Sequence, residues 1–534
     1  MIFRLICIAL VLASFCSWSE ARPHGGTALP VTGVSVVINN FNGAGTSETD
    51  EISHLDVANN QINAVDGQLL QVGNVVYQFG TSYGCGRKLN TPSTPFCGFP
   101  VYTSTDLLHW TKLGFLFDAT TPTWQTNCAT DNGCWGPHMI YNAANNNYVL
   151  WFVGTGAPGA TDNYYMFTCT LASAGANFAC TQGTAPSHLA HLGDDYHLFV
   201  DPNTQIGYIV YSAQGSFYVY IDQLNSSYTD STGTSILVQN DGPHEGEGMI
   251  YNAGSSRPYV VMYSGQCPNY CQSGLPSWSM TATSPMGTYA NATEVNATSC
   301  GGQMRSADTL TAAGNTIQMY QSEQWYNQDN PGMANIYYQP LSFDGGGNVV
   351  PFSCNTTVSV AGFLTNPPTP PAAPSGADQQ NFGDQYLGFA DFFTPSIWRM
   401  QTFVPTSTTL SKILMPLGQA YTSGGALNAD PVVELVSLDG SNNPVSVLAS
   451  VTVPRASLQW SLQMTEMDFN YSGLTPGAPY GIILKNAASQ GLVAEALYTG
   501  STNPYSAGVM RYTTNSGSTW TTVANQSLEF ATFP

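Results

Sequence analysis

The sequence predicts an all-β chain, a five-bladed β-propeller followed by a C-terminal β-sandwich domain. Three observations carry this. A short apolar run, then a β-rich run ending in an aromatic with Gly or Ser close behind, returns five times before residue 364. A proline-rich stretch, TNPPTPPAAPSGA at Thr365–Ala377, then divides the chain, and all 12 cysteines lie on its N-terminal side. Apolar residues at helical spacing are scarce throughout, so strands are the reading that fits.

Taken in order, the N-terminus comes first. Arg4 precedes an apolar run, Leu5–Phe15, and the small residues Ser17, Ser19 and Ala21 follow. A charged start, a short apolar core and a small-residue zone read as a signal peptide over residues 1–21. The run is too short to span a bilayer comfortably. A secreted, extracellular protein is expected, with no membrane association, and no later stretch is long and apolar enough to cross.

The propeller is assigned to residues 30–363. Its five repeats pair Gln68–Val72 with Asn74–Gly80, His138–Tyr141 with Asn147–Gly154, and His197–Val200 with Gly207–Ala213. Gly248–Tyr251 pairs with Pro258–Gly265 and Thr309–Ala312 with Asn315–Ser322. A third run follows each pair, for example Pro100–Ser104 and Trp278–Thr283. Repeated antiparallel meanders of this size are the pattern of propeller blades.

Residues 364–377 form a semi-rigid linker. The sandwich, residues 378–534, is read from strands at Arg399–Val404, Lys412–Pro416, Val432–Leu438, Ser446–Val453, Met464–Asn470, Tyr480–Leu484 and Ser527–Phe533. Turn signals such as Asp439–Gly440 fall between them. Carbohydrate binding and a plain structural cap are both open for this domain.

Cysteine usage agrees with export. Beyond Cys7 and Cys16, ten of the 12 remain, an even number that suggests disulfides. Neighbour pairing would give Cys85–Cys97, Cys169–Cys180 and Cys267–Cys271. Sequons at Asn225, Asn291, Asn296, Asn355, Asn470 and Asn525 are candidate glycan acceptors.

Composition excludes several functions. Only 8% of residues are charged, with 33 acidic against 12 basic, so no nucleic-acid partner is expected. Aromatics reach 12%, a texture suited to neutral polymers. There is no HExxH and no phosphate loop. One G-x-S-x-G match, Gly80–Gly84, runs on into a Gly- and Pro-containing loop, whereas a nucleophile elbow must open a helix.

Carboxylates remain. Asp66, Asp195 and Glu245 each stand just before the first run of a repeat, ahead of Leu69, Leu198 and Met249. Innermost propeller strands begin around one channel, so these three side chains should converge. Such a set suits glycoside hydrolysis, in which one carboxylic acid protonates the leaving oxygen and a carboxylate activates water. Glu247 competes with Glu245 for the acid role, because in an extended strand both share a face. Trp135 and Trp325 are candidate sugar-stacking residues, and Gln303 and Arg305 candidate hydroxyl ligands.

The segments Asp66–Tyr77, Asp195–Tyr211 and Glu245–Tyr263 resemble the three active-site segments of glycoside hydrolase family 43. Phe99–Gly114 (FPVYTSTDLLHWTKLG) is similar to a further segment of that family. The resemblance implies a five-bladed propeller and an inverting hydrolase of cell-wall polysaccharide side chains, of β-galactan, arabinan or xylan type. Asp66 would be the base and Glu245 the acid, with Asp195 raising the proton affinity of Glu245 and orienting it. For inversion the acid and base should stand about 6.5–9.5 Å apart.

Gly136–Asn142 and Ala307–Gln324 most resemble the exo-β-1,3-galactanase branch. Trp135 stands where that branch has a glutamate. Gln303 or Arg305 stands where it has a functional glutamine, while Asp66 is the ordinary family base. Some relatives hold an ion through a central histidine. No histidine is read at that position, so no metal and no cofactor are expected. The expected partner is a polysaccharide or oligosaccharide, bound by a monomer. The alternative function is a catalytically inactive carbohydrate-binding propeller.

Overall fold

The computed structural model describes residues 34–40, 54–82, 97–118, 128, 134–154, 163–266, 274–324, 335–364, 374–382, 387–419, 427–486, 492–498 and 502–534. Residues 1–21, expected to be a signal peptide, lie outside them, as do Trp325, Cys85, Cys267, Cys271 and most of the proline-rich linker. The described residues are almost wholly strand, and their only helical element is a 3-10 turn at Arg455–Ser457. No helix among them is long and apolar enough to cross a membrane.

Residues 65–340 form five antiparallel meanders. Blade 1 contains Val65–Val72, Val75–Thr81, Gly98–Ser104 and Thr111–Asp118; blade 2 contains Cys134–Asn142, Asn147–Gly154, Asn163–Leu171 and Phe178–Gln182. Blade 3 contains Gly193–Val200, Gly207–Ala213, Val219–Leu224 and Ser231–Gln239. Blade 4 contains His244–Tyr251, Tyr259–Gly265, Ser277–Ala282 and Ala290–Asn296; blade 5 contains Gln303–Ala312, Asn315–Gln324 and Asn335–Pro340. The first strands of successive blades touch in a closed ring, the fifth returning to the first.

The recurring aromatics explain why the repeat is visible in the sequence. Tyr77, Trp151, Tyr211, Tyr263 and Tyr320 on the second strands are all at most 1% exposed. Each lies in one of the apolar clusters that join neighbouring blades. Both faces of a second strand are covered, so it reads as a continuous apolar run. Truncating one of these rings to Ala would cost about 3–5 kcal/mol.

Polar side chains close the ring. Gln68 of blade 1 accepts the Met139 N–H (2.7 Å) and donates to the Met139 carbonyl (2.9 Å) of blade 2. Gln71 makes the same pair of bonds with Thr311 of blade 5, at 2.6 and 2.9 Å. Asp308 of blade 5 accepts the Leu69 N–H at 3.0 Å. The strand Val34–Asn39 pairs with Thr357–Leu364, and Asn40 bonds both main-chain groups of Tyr338 at 3.0 Å, so the segments flanking the blades meet beside blade 5.

Among the described residues, disulfides join Cys128–Cys134, Cys169–Cys180 and Cys300–Cys354. The expected Cys169–Cys180 pair is thus present, linking the two outer strands of blade 2. The other two expected neighbour pairs involve residues outside the described set. Among the sequons, Asn291, Asn355 and Asn470 are exposed. Asn296 is buried, and its side-chain amide donates to the Phe352 carbonyl at 3.0 Å, so it is not an open acceptor.

Residues 379–533 form two sheets of seven and six strands around Phe403, Ile413, Met415, Leu435, Ile482 and Phe530. Six of the expected strands occur as read, and the last is split into Gln526–Leu528 and Phe530–Phe533. Gln379–Asn381, Leu387–Phe393, Leu492–Tyr498, Met510–Thr513 and Thr521–Val523 are additional. Among the described residues, this unit meets the propeller segment around Asn60 and Gln61. The Gln61 main chain donates to the Leu462 carbonyl (2.8 Å), its side chain accepts the Leu462 N–H (3.1 Å), and Asn60 accepts the Met464 N–H (2.8 Å).

Candidate active site

The site is built by one local irregularity repeated five times. Each innermost strand breaks register near its start: between Val65 and Gln68, Trp135 and His138, Gly193 and Tyr196, Glu245 and Gly248, and Met304 and Ser306. A bulge leaves extra residues unpaired and re-aims side chains. Asp66, Gly136, Asp195, Gly246 and Arg305 occupy these bulges, all at one end of the ring.

Backbone conformation sorts them further. Gly136 (φ 60°) and Gly246 (φ 65°) adopt the left-handed region, and Asp66 adopts it too at φ 57°. At Gly246 a Cβ would sit 2.0 Å from the Met304 carbonyl oxygen, so only glycine fits. Val65, Trp135 and Glu245 are the residues just before these three positions. Trp135 therefore occupies on blade 2 the place that Glu245 has on blade 4.

The bulges surround a small pocket lined by Asp66, Trp135, Gly136, Asp195, Tyr196, Gln303, Arg305 and Glu323, among others. The Gln303 amide donates to Asp195 Oδ2 (3.0 Å) and to Glu245 Oε2 (3.2 Å), tying those carboxylates together. Asp195 Oδ2 also accepts the Gly246 N–H at 3.0 Å. The Gly136 N–H faces the Asp66 carboxylate, and the Gly136 carbonyl accepts the Tyr196 hydroxyl at 2.6 Å. The three carboxylates expected from the sequence are thus gathered at one end of the channel, with Trp135, Gln303 and Arg305. Trp325 lies outside the described residues.

Arg305 is turned mainly toward protein. Its Nε donates to the Gly67 carbonyl (2.6 Å), Nη2 donates to the Phe79 carbonyl (2.9 Å), and Nε lies 3.4 Å from Glu323 Oε1. Glu323, 2% exposed, is the pocket residue that the sequence reading missed. It accepts the main-chain N–H of Asp66. The one available signal was a lone carboxylate ending an apolar strand, MYQSE, in a chain poor in charge.

Electrostatically the pocket holds far more carboxylates than cations, in a poorly solvated place. Burial, and then the neighbouring Glu323 charge, push Asp66 up to about 8, against the opposing pull of Arg305 and the Gly136 N–H. Burial and then Asp66 push Asp195 up to about 7, and burial raises Glu323 to about 7 despite Arg305. Glu247 does not line the pocket. It is fully buried, neither carboxylate oxygen bonds another residue, and burial followed by Asp195 and Glu245 holds it well above the usual range.

Two histidines that open first runs of repeats in the sequence come together on the ring. His138 and His197 meet edge to face at 5.2 Å, and His197 Nε2 lies 3.4 Å from Asp308 Oδ1. Burial and then His197 hold His138 well below the ordinary histidine value. No cluster of three metal-ligating side chains occurs among the described residues.

No family model and no curated protein sequence matches the chain. Similar solved structures include an exo-beta-1,3-galactanase variant from Phanerochaete chrysosporium with beta-1,3-galactotriose, at 17% identity and TM-score 0.48, covering 86% of this chain and 100% of that one. An exo-beta-1,3-galactanase from Clostridium thermocellum is similar at 14% identity and TM-score 0.48, covering 91% and 99%. A glycoside hydrolase family 43 arabinoxylan arabinofuranohydrolase from Bacillus subtilis, in complex with cellotetraose, is similar at 12% identity and TM-score 0.44, covering 83% and 95%.

Proposed function

We propose that this chain is a secreted, monomeric glycoside hydrolase of the family 43 type that cleaves cell-wall polysaccharide side chains with inversion. The observation that carries the proposal is that Asp66 and Asp195, from blades 1 and 3, line one pocket and Glu245 of blade 4 is tied to it through Gln303, in a chain with only 8% charged residues. Glu245 is the general acid, protonating the departing glycosidic oxygen. Asp66 takes a proton from water on the opposite face of the sugar, and that water attacks the anomeric carbon. Asp195, tied to Glu245 through Gln303, supplies the nearby negative charge and fixes the acid's orientation. Trp135 provides a stacking face for the sugar.

β-1,3-Galactan is the first substrate to test, given the likeness of Gly136–Asn142 and Ala307–Gln324 to the exo-β-1,3-galactanase branch; arabinan and xylan side chains follow. The disulfides among the described residues of the propeller support secretion. A polysaccharide panel incubated with wild type and Glu245→Gln tests the function. Cleavage by wild type alone supports it, and binding without cleavage sinks it.

One observation favours the second reading, a propeller that binds sugar without cutting it. Asp66, pushed up to about 8, carries a proton at neutral pH and is then no base. The two readings separate on pH: a hydrolase gains activity as pH rises toward that value, and a binder stays silent.

A further inference from the structure

We propose that Glu323 is the positioning residue of the base: its carboxylate anchors the Asp66 main chain in the left-handed bulge and places a second negative charge beside it. The inference rests on the reading of Asp66 as the base.

Three features of the geometry point to it. First, the equivalent bulge position is glycine in blades 2 and 4, at Gly136 and Gly246, whereas blade 1 holds an aspartate at φ 57°. A side chain in that region is strained and persists only where its surroundings hold it. The Asp66 N–H, freed from the ladder by the bulge, is taken up by Glu323. A charged acceptor makes such a bond stronger than a neutral one.

Second, Arg305 completes a clamp around the same turn. It bonds the Gly67 carbonyl at 2.6 Å and the Phe79 carbonyl at 2.9 Å, and its Nε stands 3.4 Å from Glu323. A Cβ on Gly67 would lie 2.0 Å from the Phe79 oxygen and 2.7 Å from the guanidinium, so the turn leaves no room for a larger residue.

Third, Glu323 is the cross-strand partner of Gln303 in blade 5. Directly paired residues project on the same face of a sheet. Gln303 ties Asp195 to Glu245, while Glu323 holds Asp66, so one residue pair addresses both sides of the pocket. The groups facing Asp66 are Glu323, Arg305, Asp194, Asp195, Tyr196 and the Gly136 N–H. Those facing Glu323 are Asp66, Arg305, Asp195 and Tyr338.

Glu323→Gln keeps an oxygen for the Asp66 N–H and removes the charge, whereas Glu323→Ala removes both. The decisive measurement is a carbon-13 NMR titration of the Asp66 carboxyl in wild type and both variants, assigned with Asp66→Asn. Removing the like charge should lower the Asp66 midpoint by about one pH unit or more in Glu323→Gln. With a substrate in hand, the acid limb of kcat/KM should move the same way in Glu323→Gln. In Glu323→Ala, kcat should fall about 100-fold with KM little changed, as misplacing a reacting group does. An unmoved Asp66 midpoint in Glu323→Gln overturns the proposal, as does a wild-type kcat in Glu323→Ala. The titration needs no substrate, so it decides the role of Glu323 even if the wild type cleaves no glycan, which would count only against the hydrolase reading. Should Glu323→Ala fail to fold, the Asp66 midpoint in Glu323→Gln decides alone.

Discussion

Replacing Asp66 by Asn should change how the stability of the propeller responds to pH. Asp66 is pushed from 3.8 to about 8 in the fold, so between those values the folded chain holds a proton that the unfolded chain has lost. Its stabilising contribution is complete below about pH 4 and is lost as pH rises toward 8, with a slope of at most about 1.4 kcal/mol per pH unit. The full shift sets a ceiling of about 6 kcal/mol, which solvent reaching the half-buried pocket reduces. Asn keeps the size and tolerates the left-handed backbone but binds no proton. The variant should therefore gain on wild type as pH rises. With an unfolding entropy of about 2.1 cal/mol/K per residue over roughly 330 residues, 1.4 kcal/mol corresponds to about 2 °C in Tm. Calorimetric melts between about pH 5 and pH 8 should show wild-type Tm falling and the variant's lead growing by up to about 2 °C per unit. Parallel curves for the two proteins, or a wild-type Tm that rises over that window, would refute the reasoning.

Other expectations can be checked separately. Glu245→Gln should lower kcat by about 10²–10⁴-fold while leaving the circular dichroism unchanged, as removal of a general acid does. Gly246→Ala should cost at least about 2 kcal/mol, read as a lower Tm, because its Cβ would meet the Met304 carbonyl at 2.0 Å on a backbone at φ 65°. Removing the Cys300–Cys354 bridge with paired alanines frees a 54-residue separation. Loop-closure entropy puts the loss at about 4 kcal/mol, visible as a lower Tm of the propeller with the sandwich transition unmoved.

Much of the fold was legible because the repeat has a physical cause. Each second strand carries a large aromatic into the cleft between blades, and five such residues at similar spacing leave a pattern. The catalytic candidates were legible because charge is so sparse that a carboxylate before an inner strand stands out. Glu323 was not legible, since it lies on a second strand and acts through a main-chain N–H exposed only by the bulge at Asp66. His138 and His197 stand in apolar runs, and only closure of the ring brings them together. In the sandwich, Leu492–Tyr498 (LVAEALY) is rich in helix-favouring residues, yet pairing with Leu387–Phe393 makes it a strand, an override of local propensity by tertiary contact.

The most direct test of the central claim is proton NMR of the first sugar released when wild type acts on β-1,3-galactan, arabinan or xylan side chains. The account predicts that one of these is cleaved and that the product appears first in the anomeric configuration opposite to the bond broken. A product that first appears with retained configuration, or no cleavage of any of them, would contradict it.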